Sequence, residues 1–117
     1  MLTDLGRFLR KLRIDRNELL KHMAQKLEVS VSFLSAVENG NKKMPSEWNQ
    51  RICTLYDLDS QQQVEFTEAI AKSEKTLDIP LWKTNDEGKM LAVSFARKLP
   101  FLTEKQIAAM KDVIEGE

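Results

Sequence analysis

The order of residues 20–39 constrains the fold of this chain more than any other feature of its sequence. Apolar residues recur at helical spacing on both sides of Glu28-Val29, which predicts two short helices joined by a tight turn. Ser30 is a favourable N-cap for the second helix, and Asn39-Gly40 is a typical helix end. Ala24 places a small side chain where the two helices must approach each other. The pattern therefore predicts two helices that cross at a steep angle.

The remaining sequence predicts further helices on both sides of this pair. Residues 3–14 form an amphipathic pattern with Thr3 as N-cap, and two more helices are expected near Ser46 and from the capping-box sequence of residues 60–63. Residues 76–82 predict an extended connector or a short edge strand. Helices are expected over residues 86–99 and after the capping box of residues 103–106, the last one burying Ile107, Met110 and Ile114. The expected fold is all-α, with a five-helix domain over residues 1–70 and a mainly helical extension over residues 71–117.

Charge is divided unevenly along the chain, although the formal net charge is zero. Residues 1–45 hold nine Lys/Arg against five Asp/Glu, which gives +4, and residues 46–117 hold nine against thirteen, which gives −4. Such a division suggests a basic half that binds an acidic partner and an acidic remainder. The alternative is a chance distribution of few charges.

No catalytic residue, cofactor or metal site is expected. His22 and Cys53 are the only histidine and the only cysteine, so neither a histidine-rich nor a cysteine-based metal site is available. Neither a P-loop nor a dinucleotide-binding fingerprint is present, and we expect a protein that is not an enzyme. No secretory signal and no apolar run long enough for a bilayer are visible, which predicts a cytoplasmic protein without a membrane partner.

Three segments resemble the lambda-repressor-like (Cro/cI, Xre-type) helix-turn-helix family: Leu12-Arg13, residues 19–30 and residues 35–40. The resemblance covers roughly residues 5–70. It implies a prokaryotic, sequence-specific transcriptional regulator, expected to be a repressor, that binds a two-fold symmetric operator in double-stranded DNA as a homodimer. It also implies a structural ion pair between Arg13 and Glu38.

The sequence departs from this family at two positions. Leu20 stands where the family usually has a glutamine that contacts phosphate. Glu28 replaces the usual turn glycine, so it must adopt a positive φ or a slightly different turn, at a cost of about 1 kcal/mol. Neither departure removes the motif.

The third predicted helix, which begins at the Ser30 cap and runs through Glu38, is expected to enter the DNA major groove with small side chains. The expected base-facing residues are Ser30, Val31, Ser32, Ser35, Ala36 and Asn39. Asn39 either contacts a base or only caps the helix. Because no arginine or glutamine is among them, readout is expected to depend on close fit, thymine methyl groups and DNA shape. Phosphate contacts are expected from Arg10, Lys21, Lys42 and Lys43.

The sequence leaves three functions open. In the first, residues 76–117 build much of the homodimer interface of a repressor, unless they only cover the N-terminal core. In the second, the chain is an antitoxin whose acidic C-terminal half neutralises a basic toxin while its N-terminal half regulates its own promoter. In the third, it is a protein-interaction module that has lost DNA binding, as Leu20 and the weakly polar third helix suggest.

Overall fold

The computed structural model describes residues 1–116, which form two compact units. The first unit, Met1–Ile79, contains five helices: α1 (Asp4–Asp15), α2 (Leu20–Lys26), α3 (Val31–Glu38), α4 (Trp48–Leu55) and α5 (Ser60–Ser73). The second unit begins at Pro80 and contains α6 (Asp86–Lys98) and α7 (Glu104–Glu115), with short 3₁₀ turns at Leu81–Lys83 and Leu99–Phe101. The fold is all-helical, as predicted.

The predicted edge strand over residues 76–82 is absent from the described part of the chain. Residues 74–80 have no regular secondary structure, and the chain then enters the 3₁₀ turn at Leu81–Lys83. An edge strand needs a neighbouring strand to pair with, and residues 1–116 contain none. The segment is instead a connector without regular secondary structure as far as Pro80, and its last two residues lie in the 3₁₀ turn.

The core of the first unit is built from the apolar stripes of all five helices. Its members include Leu9 of α1, Met23 of α2, Leu34 of α3, Trp48 of α4 and Phe66 of α5, each at most 2% exposed. Burial of each such side chain contributes about 1.5–3 kcal/mol. α1 also packs along α5, where the rings of Phe8 and Phe66 stack with their centroids 5.2 Å apart.

Three of the five helices in the first unit, α1, α3 and α5, begin at a residue whose side chain caps the helix. The hydroxyl oxygen of Thr3 accepts from the Gly6 N–H (3.1 Å), and the Ser30 hydroxyl accepts from the Phe33 N–H (3.0 Å). At α5 the predicted capping box was one residue late, because the N-cap is Asp59 and its partner is Gln62. The Asp59 carboxylate accepts from the Gln62 N–H (2.8 Å), and an anion at a helix N-terminus also gains from the helix dipole.

The second unit has well-capped helices but no buried residue in α6, α7 or the two 3₁₀ turns. Asn85 caps α6 and Thr103 caps α7. Ile107, Met110 and Ile114 are 45%, 39% and 79% exposed, so the prediction that the last helix buries them within the chain was wrong. Residues of α6 and α7 together line an apolar groove of about 540 Å³.

Candidate nucleic-acid interface

α2 and α3 form the predicted pair of crossing helices. Ala24 is 2% exposed, and its carbonyl oxygen accepts from the Val29 N–H in the turn (3.0 Å). Leu34 and Val37 point from α3 into the core. Because a helix that buries one stripe presents the opposite stripe to solvent, α3 lies on the surface with one face open.

Arg51 of α4 holds the turn between these helices, and nothing in the sequence indicated this role. Glu28 has a φ of 58°, the left-handed conformation that its replacement of glycine requires. Arg51 of α4 donates to the Glu28 carboxylate and, over 3.0 Å, to the carbonyl oxygen of Lys26. The turn is thereby fastened to α4 through a side chain that a glycine would not provide.

The C-terminal end of α3 is fastened to α1. Arg13 donates to both carboxylate oxygens of Glu38, with 3.2 Å between Arg13 Nη2 and Glu38 Oε1. Both residues are buried, and Arg13 Nη1 also lies 3.2 Å from Met23 Sδ. The backbone N–H of Thr3 (3.0 Å) and its hydroxyl (3.1 Å) donate to the Glu38 carbonyl oxygen. These contacts fix the position of α3 relative to α1.

The comparison with protein families agrees with this geometry. The family described as "Helix-turn-helix domain" matches residues 4–66, which is just over half of the chain. The chain belongs to the helix-turn-helix domain family. The matched residues run from the start of α1 to Phe66 in α5, and the match is consistent with a lambda-repressor-like domain. No curated protein and no solved structure matches the chain.

In this helix-turn-helix domain α3 is the second helix of the crossing pair, and its predicted base-facing residues differ in exposure. Val31 and Ser32 are exposed. Ser30 is exposed as well, but its hydroxyl oxygen already accepts from the backbone as the helix cap. Ser35, Ala36 and Asn39 are half-buried, and Asn39 Nδ2 lies 3.5 Å from Ser35 Oγ. The most accessible side chains are therefore those of the first turn of the helix.

The predicted phosphate contacts also separate into two kinds. Arg10, Lys21 and Lys42 are exposed and make no ion pair with any residue of the described chain. Lys43 is half-buried, and its Nζ donates to Asp78 Oδ1 (3.0 Å) and Thr76 Oγ1 (2.6 Å). The sequence did not reveal this pairing, because the partners lie more than thirty residues apart.

The N-terminus of α2 lacks the glutamine described above, and a different side chain accepts a hydrogen bond from its backbone. Leu20 is half-buried and packs against the core, so it offers no polar group there. The backbone N–H of Leu19 donates to His22 Nδ1 (3.0 Å), which satisfies one of the free amides at this helix end. His22 thus has a structural role that the sequence did not indicate.

A polar cluster joins the segment before α2 to the end of α4. The Tyr56 hydroxyl donates to Glu18 Oε1 (2.7 Å), and Lys26 donates to the other carboxylate oxygen. Burial raises the pKa of the Glu18 carboxyl, but hydrogen bonds from Lys26 and Tyr56 outweigh it, so this pKa lies below its ordinary value. Burial and the neighbouring Glu18 carboxylate raise the pKa of Tyr56 well above its ordinary value. The cluster ties α2 to α4 beside the turn.

Among residues 1–116, no group of three or more His, Cys, Asp or Glu side chains is arranged to hold a metal ion. No helix in the same residues combines the length and the apolar character needed to cross a bilayer.

Proposed function

We propose that this protein is a transcriptional repressor that binds a two-fold symmetric operator in double-stranded DNA as a homodimer, and that it acts by binding rather than by catalysis. The observation that carries the proposal is the position of α3. Its inner residues Leu34 and Val37 are buried and Glu38 is ion-paired, while Val31 and Ser32 are exposed at its N-terminal turn. A recognition helix reads bases with the residues of its N-terminal part, which is the exposed part here.

The chemistry of this face favours readout by contact and shape. The Ser32 hydroxyl both donates and accepts hydrogen bonds, so it suits several base edges, and Val31 offers methyl groups for contact with a thymine methyl. Neither side chain forms the two-bond contact that arginine makes to guanine. Arg10, Lys21 and Lys42 are free to contact phosphates, which orient a protein on the duplex without reading its sequence.

Two independent considerations support a homodimer. A single recognition helix covers one half-site, and two copies bind half-sites about 34 Å apart. The second unit has only about 38 residues and buries none of its apolar side chains within α6 and α7, whereas chains below about 40 residues are seldom stable alone. We assign the apolar groove of α6 and α7 to the contact with a second copy.

The distribution of charge favours a second copy over a basic toxin. Residues 46–79 hold three Lys/Arg against seven Asp/Glu, which accounts for all of the −4 in the C-terminal part. Residues 80–117 hold six against six and are neutral. The acidic charge that suggested an antitoxin therefore lies in the first unit, and two copies of the second unit, each with no net charge, can associate without net repulsion.

Selection of binding sites from random double-stranded DNA by the full chain tests the proposal. We expect a consensus with two-fold symmetry. Ser32→Arg should change the selected bases in each half-site, because arginine favours guanine. The control Gln61→Arg adds the same charge at an exposed position of α5 and should leave the consensus unchanged. Selection of no consensus, or an identical consensus for Ser32→Arg, would contradict the proposal.

Light scattering of the full chain tests the assignment of the dimer interface. Leu91→Glu and Ile114→Glu place a carboxylate in the groove of α6 and α7 and should shift the protein from dimer to monomer. Met90→Glu is the matched control, because Met90 is an exposed apolar residue of α6 that does not line the groove. Equal dissociation by all three variants, or dissociation by none, would show that the groove is not the interface.

A further inference from the structure

A segment beyond the last helix of the DNA-binding unit returns to the loop that follows the recognition helix. We call residues 74–79 the connector and residues 41–45 the basic loop. Lys43 of the basic loop donates to Asp78 Oδ1 over 3.0 Å and to Thr76 Oγ1 over 2.6 Å. The Met44 N–H lies 3.4 Å from Glu74 Oε1. Three side chains of the connector therefore contact two successive residues of the basic loop.

The two lysines of the basic loop differ in exposure and in ion pairing. Lys42 is exposed and makes no ion pair within the described chain, whereas Lys43 is 33% exposed and paired with Asp78. A DNA phosphate would bind the Lys43 ammonium through the same three N–H groups that the connector uses. Asp78 and a phosphate oxygen are both anionic acceptors, so they compete for one cation.

We infer that the connector is an intramolecular competitor of the DNA backbone: Asp78 holds Lys43 in the free protein, and a phosphate displaces it when DNA binds. This inference rests on the proposed DNA-binding function. The Asp78 side chain is 66% exposed, and ion pairs that water reaches are weak enough to exchange readily. DNA binding then releases the connector, which leads along the chain to the second unit.

Affinity measurements on a double-mutant cycle test the competition. Asp78→Asn removes the competing charge and should tighten binding of the selected operator about two- to five-fold, the range expected for an exposed ion pair. In a Lys43→Ala background the same substitution should have no effect beyond that of the matched control Asp15→Asn. Asp15 is an exposed carboxylate that takes part in no ion pair among residues 1–116. An equal gain in both backgrounds, or no gain in the wild-type background, would overturn the inference.

Limited trypsin digestion gives a readout that does not depend on DNA. Cleavage after Lys75, which is exposed within the connector, should be faster in free Asp78→Asn and Lys43→Ala than in free wild type. Equal cleavage rates would mean that the contact does not restrain the connector, and the inference would fail while the DNA-binding proposal stands. Faster cleavage together with no DNA binding by wild type would overturn the proposed function and the competition with it.

Discussion

Gly6 of α1 lies directly against the backbone of Glu38 at the end of α3. A Cβ atom at position 6 would collide with the Glu38 carbonyl oxygen and would lie 3.0 Å and 3.1 Å from the Glu38 carbonyl carbon and Cα. The atoms in the way belong to the backbone and cannot rotate aside. The close approach of α1 and α3 therefore depends on the absence of a side chain at Gly6, inside a helix where glycine is otherwise unfavourable.

Gly6→Ala should consequently destabilise the first unit. Alanine favours a helix by about 1 kcal/mol relative to glycine, but the cost of overpacking against a fixed backbone lies in the upper part of its usual range, about 2–3 kcal/mol. We expect a net loss of about 1–2 kcal/mol in the free energy of unfolding, measured by urea denaturation. A variant as stable as wild type would mean that α1 and α3 can separate without cost.

The buried pair of Arg13 and Glu38 should respond strongly to removal of one partner. Glu38→Gln leaves the Arg13 guanidinium buried without its counter-charge and should cost about 3–5 kcal/mol. The double variant Arg13→Met/Glu38→Gln removes both charges, so it should be more stable than Glu38→Gln alone. A double variant less stable than both single variants would argue against a paired charge as the source of the loss.

The turn residue Glu28 gives a prediction of the opposite sign. Glycine adopts a positive φ without strain, so Glu28→Gly should remove about 1 kcal/mol of backbone strain. The ion pair with Arg51 that it also removes is weak, because the Glu28 side chain is 74% exposed. We expect a gain of about 0.5–1 kcal/mol in unfolding free energy, larger at high salt, where the wild-type ion pair contributes less. A loss of stability would mean that the contact between Glu28 and Arg51 stabilises the turn by more than the backbone strain at Glu28 costs.

Acid should weaken the cluster of Glu18, Lys26 and Tyr56. The pKa of Glu18 is lower in the folded protein than its ordinary value, so the unfolded chain takes up a proton first as the pH falls. The stabilisation is complete above the ordinary glutamate pKa of about 4.3 and is lost as the pH drops through the folded value. Denaturation from pH 7 to pH 3 should show a smaller loss for Glu18→Gln than for wild type. The exposed Glu65→Gln is the control and should follow wild type.

Salt dependence separates a phosphate contact from a solvated charge. Lys42→Ala should weaken binding to all DNA sequences equally and lower the slope of log affinity against log salt concentration by about one. Lys72→Ala, at an exposed position near the end of α5, serves as the control for loss of a surface charge. An unchanged slope for Lys42→Ala would remove Lys42 from the DNA contacts.

The local features of the first unit could be predicted because they depend on neighbouring residues. The Thr3 and Ser30 caps follow from the types of residue at those positions, and the positive φ at Glu28 was one of two alternatives that the family resemblance implied. The α5 cap was misplaced because Asp59 and Ser60 both have a glutamine three residues later, and only the charge of aspartate decides between them.

Contacts between distant residues could not be predicted in the same way. Arg51 lies 23 residues from Glu28 in the sequence, and Lys43 lies 35 residues from Asp78. Neither separation is one from which a contact can be predicted. In the second unit the apolar periodicity of α7 correctly predicted a helix. Periodicity states which face is apolar but not what covers it, and this is why the expected burial of Ile107 and Met110 within the chain was wrong.

The side chains that anchor α3 are different from the side chains that it exposes. Leu34, Val37 and Glu38 hold the helix, while Val31 and Ser32 make no side-chain hydrogen bond or ion pair within the described residues. Replacement of exposed residues outside such contacts usually changes folding free energy by less than about 0.5 kcal/mol. Under the proposed function, mutation can therefore explore new target sequences at these two positions with little effect on folding, so duplicated copies of this chain can diverge in preference while keeping one fold.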